Sequence, residues 1–194
     1  MDKLHMHKMA FAVLATTLVA GCSSTPPAPK AAEPAENAAS QSTASHAQAN
    51  LAGASGSLVS GRIELMPMGD GVHLTGTIGG LQPNSVHGIH VHEKGDCSAA
   101  DASSAGGHFN PTGSAHGRAG SATHHAGDMD NVVAGADGTV AVNIHLAGVT
   151  LGGGAANDIA DRAIVVHGNA DDYTSQPAGN SGPRVACGVI KIMP

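Results

Sequence analysis

Six short segments of alternating apolar and polar residues constrain the fold of this chain more than any other feature. Side chains two apart in a strand share one face of a sheet, so such alternation is typical of strands buried on one side. No segment repeats its apolar residues at the 3.6-residue period of a helix over three turns. The pattern therefore predicts an all-β domain with strands at residues 57–65, 72–78, 86–93, 139–146, 162–167 and 185–192.

Two of the connections between these segments are too long to be simple turns. The chain has 27 glycines and 13 histidines but one tyrosine, two phenylalanines and no tryptophan, which is typical of a loop-rich β protein. Residues 93–132 and 168–183 carry no strand pattern, and structureless loops of such length are usually functional. We therefore expect an antiparallel sandwich or flattened barrel with two long functional loops.

The N-terminal residues 1–21 have the pattern of a lipoprotein signal peptide. Lys3 and Lys8 precede an apolar run over 9–20 that is too short to span a bilayer. The run ends in Val-Ala-Gly-Cys, which resembles a bacterial lipobox and predicts lipidation of Cys22 after cleavage before it. A plain signal peptide followed by a chance cysteine is the alternative.

Residues 22–53 are rich in alanine, proline and serine and contain few large apolar side chains. Such a composition cannot bury enough surface to order the chain, so it predicts a flexible tether that includes a solvated His46. The folded domain is expected over 54–194. Ser23 and Ser24 give no signal for retention at the inner membrane, which favours a protein on the periplasmic side, anchored to the outer membrane by its lipid alone.

The segment His90-Val91-His92 carries the first candidate metal ligands. In a strand these imidazoles would share a face, roughly 6–7 Å apart at the backbone, while Ile89 and Val91 would point to the core. Two such histidines can share a metal ion, or they can be the polar side of a half-exposed strand. The segment alone leaves both interpretations open.

Motifs further along the chain decide between these interpretations. In order and spacing they resemble the copper/zinc superoxide dismutases, over about 140 of the 194 residues. The resemblance implies an immunoglobulin-like Greek-key β-sandwich. The motifs are Gly88–Glu93, Gly107–Pro111, His116-Gly117, His125–Asp128, Val165–His167 and Pro183–Ile190.

The resemblance implies one copper and one zinc ion per chain. The implied copper ligands are His90, His92, His108 and His167, and the implied zinc ligands are His108, His116, His125 and Asp128, with His108 bridging the two metals. Imidazoles suit copper, and three imidazoles with one carboxylate suit tetrahedral zinc. The family's zinc motif has aspartate three residues after histidine, which selects His125 over its neighbour His124.

The resemblance also implies roles for residues outside the ligand set. Asp171 is expected to hydrogen-bond His90 and His116 together, whereas Asp172 is expected to be solvated. Arg184 is expected beside the copper, where its cation attracts and binds the substrate anion. Cys97 and Cys187 are expected to form a disulfide. Three further histidines, at positions 73, 87 and 145, are interpreted as polar surface residues of strands.

The activity that the resemblance implies is superoxide dismutation. Copper would oxidise one superoxide to oxygen and reduce a second to hydrogen peroxide, with His108 releasing copper and carrying a proton. The alternatives are a non-catalytic copper/zinc-binding module on the same fold and a zinc hydrolase built on His116, His125 and Asp128. The net charge of −6 argues against a nucleic-acid partner. Both a homodimer and a monomer remain open.

The second long loop departs from the eukaryotic members of the family. Those members carry charged Glu and Lys residues in this loop, which help to steer the substrate. Between Asp171 and Arg184 this chain has neither lysine nor glutamate. We therefore expect a local cation elsewhere to set the field at the site, and Lys94 is the candidate from the first long loop.

Overall fold

The computed structural model describes residues 41–194, which form nine β-strands and a short 3-10 turn at Ser103–Ala105. In chain order, strands β1 to β9 are Ala47–Gly53, Ser60–Met68, Gly71–Gly79, Val86–His87, Ile89–His92, Val132–Val133, Val140–Ala147, Ala163–His167 and Arg184–Ile192. Within the described range no helix is long and apolar enough to cross a membrane. The predicted all-β class is confirmed.

Seven of these strands form one antiparallel sheet in the order β5-β8-β9-β1-β2-β3-β7, and β4 pairs with β6. The chain leaves β3 at one side of this sheet, builds β5 at the far edge, and returns to place β7 beside β3. One hydrophobic cluster contains Ile89 from β5 and Val142 from β7, which lie in the two edge strands. The sheet must therefore curl onto itself to bury both edges in one core, which confirms the Greek-key sandwich or flattened barrel.

Strand β1 corrects the predicted boundary of the tether. Ala47–Gly53 lies in the middle of the sheet, paired with β2 on one side and β9 on the other, and Ala47 and Ala49 are fully buried. The preceding residues are also held, since the backbone amides of Thr43 and Ala44 donate to the carbonyl of Leu151. The prediction of a tether reaching residue 53 was wrong because alanines fit a strand whose two neighbours supply the hydrogen bonds and the larger side chains.

The sequence predicted that the folded domain starts at residue 54, but the folded part begins before that residue. His46 is not a freely solvated tether residue, because its Nε2 lies 2.6 Å from the Glu64 carboxylate on β2. The remainder of the predicted tether, the signal peptide and Cys22 lie outside the described residues.

Two details of the strand prediction also change. The predicted strands end at residue 65 and resume at residue 72, but β2 continues through Pro67 to Met68 and pairs with β3 along its whole length. The turn itself is confined to Gly69 and Asp70. Strand β6 pairs through two residues only and lies at the end of the first long loop, so it is too short for alternation to reveal it.

Candidate metal centre

Four buried histidines meet beside the paired strands β5 and β8. His90 and His92 lie on β5, His167 ends β8, and the first long loop brings His108 into a bridge opposite His92. Their candidate ligand atoms all lie within 4.8 Å of one another. The antiparallel pairing of β5 with β8 and the loop bridge therefore assemble one four-imidazole cluster from three separate segments.

A second cluster shares His108 with the first. It contains three histidines and one carboxylate, whose candidate ligand atoms again lie within 4.8 Å of one another, namely His108, His116, His125 and Asp128. The carboxylate is oriented by the chain itself, because it accepts hydrogen bonds from the backbone amides of His125 at 2.8 Å and Gly117 at 3.2 Å. The structure thus brings together both ligand sets that the sequence resemblance implied.

Several ring nitrogens in these clusters have no hydrogen-bond partner among residues 41–194. These buried atoms are His90 Nδ1, His108 Nε2, His116 Nδ1 and His125 Nδ1. Buried polar atoms are normally paired, and an unpaired group calls for an explanation such as an ion. His116 Nδ1 lies 3.1 Å from Asp128 Oδ2 without hydrogen-bond geometry, as two ligands of one cation would. The chemistry of both donor sets therefore fits metal ions.

The Asp171 carboxylate bridges the two clusters through hydrogen bonds. One carboxylate oxygen accepts from His90 Nε2 at 2.8 Å and the other from His116 Nε2 at 3.0 Å. A metal-binding histidine typically donates its second ring N–H to a carboxylate or carbonyl, which fixes its tautomer. His92 follows the same pattern, since its Nδ1 donates to the Gly106 carbonyl at 3.0 Å. Asp171 thus makes the two contacts that the sequence comparison implied.

The protein environment keeps these side chains in the charge states that bind metal. Burial lowers the pKa of His90 to about 4 and that of His167 to about 3, so both rings stay neutral. Burial alone would raise the pKa of Asp128, but hydrogen bonds from His108 and from the His125 and Gly117 amides outweigh it and hold this pKa below its ordinary value. Neutral imidazole and ionised carboxylate are the ligating forms.

An open cavity of about 790 Å³ leads to the four-histidine cluster. Its wall includes His92, His108 and His167 together with Arg184. The Arg184 guanidinium donates to the carbonyls of Ala102 and Gly106, both at 2.6 Å, and burial lowers its pKa somewhat from the ordinary value of an arginine. It therefore remains a fixed cation at the wall of this cavity.

The other charges around the cavity are few. Apart from histidines, its described lining includes one cation, Arg184, and one carboxylate, Glu93. Lys94, suggested by the sequence as a second steering charge, is exposed and does not line the cavity. The expectation that Lys94 steers the substrate finds no support in this geometry, and Arg184 is the cation in the described lining.

The disulfide between Cys97 and Cys187 joins the first long loop to β9, across a sequence separation of 90 residues. Cys97 precedes the carbonyls of residues 102 and 106 that hold Arg184, and Cys187 follows Arg184 on the same strand. The cross-link therefore fixes both parts of the Arg184 anchor relative to each other. The pairing of these two cysteines is as expected.

The structure adds two supporting residues that the sequence did not single out. Gln176 pairs with both main-chain groups of His116, accepting from its amide at 2.8 Å and donating to its carbonyl at 2.9 Å. Asn131 does the same for Asp171, at 2.8 and 2.9 Å. These amides join the first long loop to the second. In the sequence each of them is only an amide residue within a long loop, which does not indicate a supporting role.

His87 was expected at the surface but is buried. Its Nδ1 donates to the carbonyl of His167 at 2.8 Å, and its Nε2 lies 2.6 Å from Ser85 Oγ. It thus supports the backbone at a residue of the four-histidine cluster. The surface prediction rested on the polarity of histidine, and it failed because both ring nitrogens find hydrogen-bond partners in the interior.

The neighbouring candidates lie outside both clusters. His124 points away, with Nδ1 donating to the Ser121 carbonyl at 2.8 Å. Asp172 is exposed and accepts hydrogen bonds from the amides of Thr174 and Ser175. Neither side chain belongs to a ligand group.

Known proteins resemble this chain in sequence. The sequence profile of the family described as copper/zinc superoxide dismutase (SODC) matches residues 59–190. Superoxide dismutase (Cu-Zn) 2 of Aquifex aeolicus (strain VF5) is 40% identical over 148 residues, covering 75% of this chain and 86% of that protein. The superoxide dismutase-like protein YojM of Bacillus subtilis (strain 168) is 37% identical over 191 residues, covering 95% and 96%.

Solved structures agree with the sequence relatives. The crystal structure of the clock protein EA4 matches with a TM-score of 0.69 at 39% identity, covering 79% of this chain and 98% of that one. A SOD-like protein from Bacillus subtilis matches with a TM-score of 0.66 at 39% identity, covering 73% and 95%. On its sequence, its fold and its paired ligand clusters, the chain belongs to the copper/zinc superoxide dismutase family.

Proposed function

We propose that this protein is an exported superoxide dismutase that holds one copper and one zinc ion and converts superoxide to oxygen and hydrogen peroxide. The observation that carries the proposal is the convergence of buried, unpaired imidazole nitrogens beside a cavity with a fixed arginine. A structural metal site would be closed, whereas a catalytic site keeps access for substrate.

The four-histidine cluster would hold copper, and the cluster containing Asp128 would hold zinc. Bound copper supplies one-electron redox chemistry, which zinc lacks. His108 belongs to both clusters: its Nδ1 contacts Asp128 at 2.8 Å, whereas its Nε2 is unpaired. The residue can therefore hold a proton at Nε2, on the side of the four-histidine cluster, while Asp128 keeps the ring in place.

Arg184 would bind the substrate anion. The protein carries a net charge of −6, so its overall field repels superoxide, and a local cation is needed to reverse the potential at the cavity. Two guanidinium nitrogens of Arg184 are used on the carbonyls of Ala102 and Gly106. A guanidinium has five N–H donors, so donors remain for the anion while the group stays fixed.

A metal-binding module without turnover is the competing function, and one relative carries the name superoxide dismutase-like.

The decisive experiment measures copper and zinc content together with superoxide consumption for the purified chain. We expect one ion of each metal and dismutation. His92→Ala should lose copper and activity, whereas His46→Ala, a histidine paired with Glu64 away from the clusters, should keep both. Full metal content without dismutation would overturn the enzyme assignment in favour of the module.

The location belongs to the same proposal. A lipid on Cys22 would anchor the enzyme on the periplasmic side of the outer membrane, where it would protect the cell envelope from superoxide. Cys22→Ser should move the protein from the membrane fraction to the soluble periplasmic fraction. An unchanged membrane association would contradict the anchor. Sedimentation of the purified chain would decide between a homodimer and a monomer.

A further inference from the structure

The outer face of strands β2, β3 and β7 carries a second group of metal-ligating side chains. In the sheet register Met66 on β2 lies opposite His73 on β3, and His73 lies opposite His145 on β7. Their neighbours Val72 and Leu74 are fully buried in the core. Since alternate residues point to opposite faces, the thioether and the two imidazoles form one row on the outer face.

The two imidazoles of this row are spaced as metal-binding pairs are. The ring centroids of His73 and His145 are 6.5 Å apart. The same separation, 6.5 Å, is found between His90 and His92, whose candidate ligand atoms lie within 4.8 Å of each other. Directly opposed residues have Cβ atoms about 4.5–5.5 Å apart. Small side-chain rotations can therefore bring both rings to one ion.

The hydrogen bonding of the rings leaves nitrogens for such an ion. His145 Nε2 lies 2.8 Å from Asp70 Oδ1, so the ring donates there and presents Nδ1 as its free nitrogen. This histidine–carboxylate pairing is the one that orients metal ligands. His73 Nδ1 is buried and has no hydrogen-bond partner within the described part of the chain. An orphaned ring nitrogen beside a carboxylate-oriented imidazole is what a metal-binding pair would show.

We propose that Met66, His73 and His145 form a second copper-binding site on the outer face of the sheet, with Asp70 orienting His145. Imidazoles bind copper in both oxidation states, and a thioether favours copper(I), whereas magnesium and calcium prefer oxygen ligands. The site opens to solvent, since Met66 is 46% exposed and the His145 side chain 35% exposed. Copper can reach it without passing through the cavity of the central clusters.

This site is separate from the central clusters in its ligands and in the strands that carry them. None of the seven ligand residues of the two central clusters lies on β2, β3 or β7. The inference therefore does not rest on superoxide dismutation, and its readout is the number of copper ions bound. A failed dismutation assay would leave it standing, and a failed copper count would leave the proposed enzyme standing.

The test is a copper(II) titration of the purified full chain whose central clusters have first been filled with copper and zinc. Equilibrium dialysis with metal analysis should find one further copper per chain. His73→Gln and His145→Gln should each lose this ion, and Asp70→Asn should weaken it by about 10- to 100-fold. His46→Gln is the matched control, a histidine beside the carboxylate of Glu64 on the same sheet, and should keep it.

A second measurement tests the thioether with copper(I), using a copper(I) chelator as competitor under reducing conditions. Met66→Leu should weaken copper(I) at this site and leave copper(II) unchanged. Met68→Leu, an exposed methionine of the same strand that lies opposite Gly71 rather than a histidine, should change neither. Absence of a further copper in the unsubstituted chain, or its retention in both histidine variants, would overturn the proposal. Equal copper(I) binding by Met66→Leu would remove Met66 from the site.

Discussion

Replacing Asp171 with asparagine tests how the two metal clusters are held together. The Asp171 side chain is fully buried, and its two oxygens accept from His90 Nε2 and His116 Nε2. It also accepts from the amide of Tyr173 at 2.6 Å. An asparagine keeps the shape but offers one oxygen and one NH2 group. At least one of the two imidazole N–H groups must then face a donor.

The size of the effect follows from that single mismatch. A buried N–H left without an acceptor costs about 1–3 kcal/mol. The imidazole can avoid the mismatch by moving its proton to the other nitrogen, but that nitrogen faces the cluster and must be unprotonated to bind metal. In either case the free energy is lost from metal binding. At about 1.4 kcal/mol per tenfold change, this amounts to roughly 5- to 150-fold in affinity.

Chelator competition for copper and zinc measures this affinity directly. We expect Asp171→Asn to weaken at least one cluster within that range, while circular dichroism shows an intact sheet. Asp172→Asn is the matched control, because this adjacent carboxylate is exposed and accepts hydrogen bonds from Thr174 and Ser175 of its own loop. Wild-type affinity at both clusters of the folded Asp171→Asn variant would refute the bridging role.

Three further predictions concern stability. Reduction of the Cys97–Cys187 disulfide, which closes a loop of 90 residues, should lower the free energy of unfolding by up to ~4.6 kcal/mol on the chain-entropy model, measured by urea denaturation; an unchanged midpoint would contradict it. His87→Leu should destabilise the protein by about 1–3 kcal/mol, because the carbonyl of His167 loses its buried donor; a neutral result in the same assay would remove this support. In the metal-free protein the native pKa values of His90 and His167 are lowered to about 4 and 3, so the unfolded state binds more protons below about pH 6.5. The free energy of unfolding should therefore fall as the pH drops from about 6.5 to 4, by at most ~1.4 kcal/mol per pH unit for each histidine, and a flat profile would show that neither ring resists protonation.

The strands could be predicted from the sequence where one face of the sheet is buried and the other is not. Along β3, Val72, Leu74 and Ile78 are buried while His73 is not, so alternation identified the strand and its inner face. Alternation could not identify β1, whose Ala-Gln-Ala-Asn segment has little apolar volume of its own. That strand exists because β2 and β9 supply its hydrogen bonds and its packing.

The candidate site shows the same division. The spacing of His125 and Asp128 is local and matches the zinc motif of the family, so the resemblance could select His125 over His124. The role of His87 is not local, since its partner His167 is 80 residues away. Gln176 and Asn131 were missed for the same reason, because each braces a backbone segment at least 40 residues away in sequence.

By itself, the sequence determined the strand class, the family and the identities of the candidate ligands, because side-chain alternation, motif order and residue type are properties of the chain read in order. Only the tertiary structure decided where the fold begins, which ring nitrogens are left unpaired, and which side chains support the clusters. These depend on pairing and burial between segments far apart in sequence, such as His90 with Asp171 and Met66 with His73. The free energy of a buried contact is set by its partners in space, and the order of residues along the chain does not specify them.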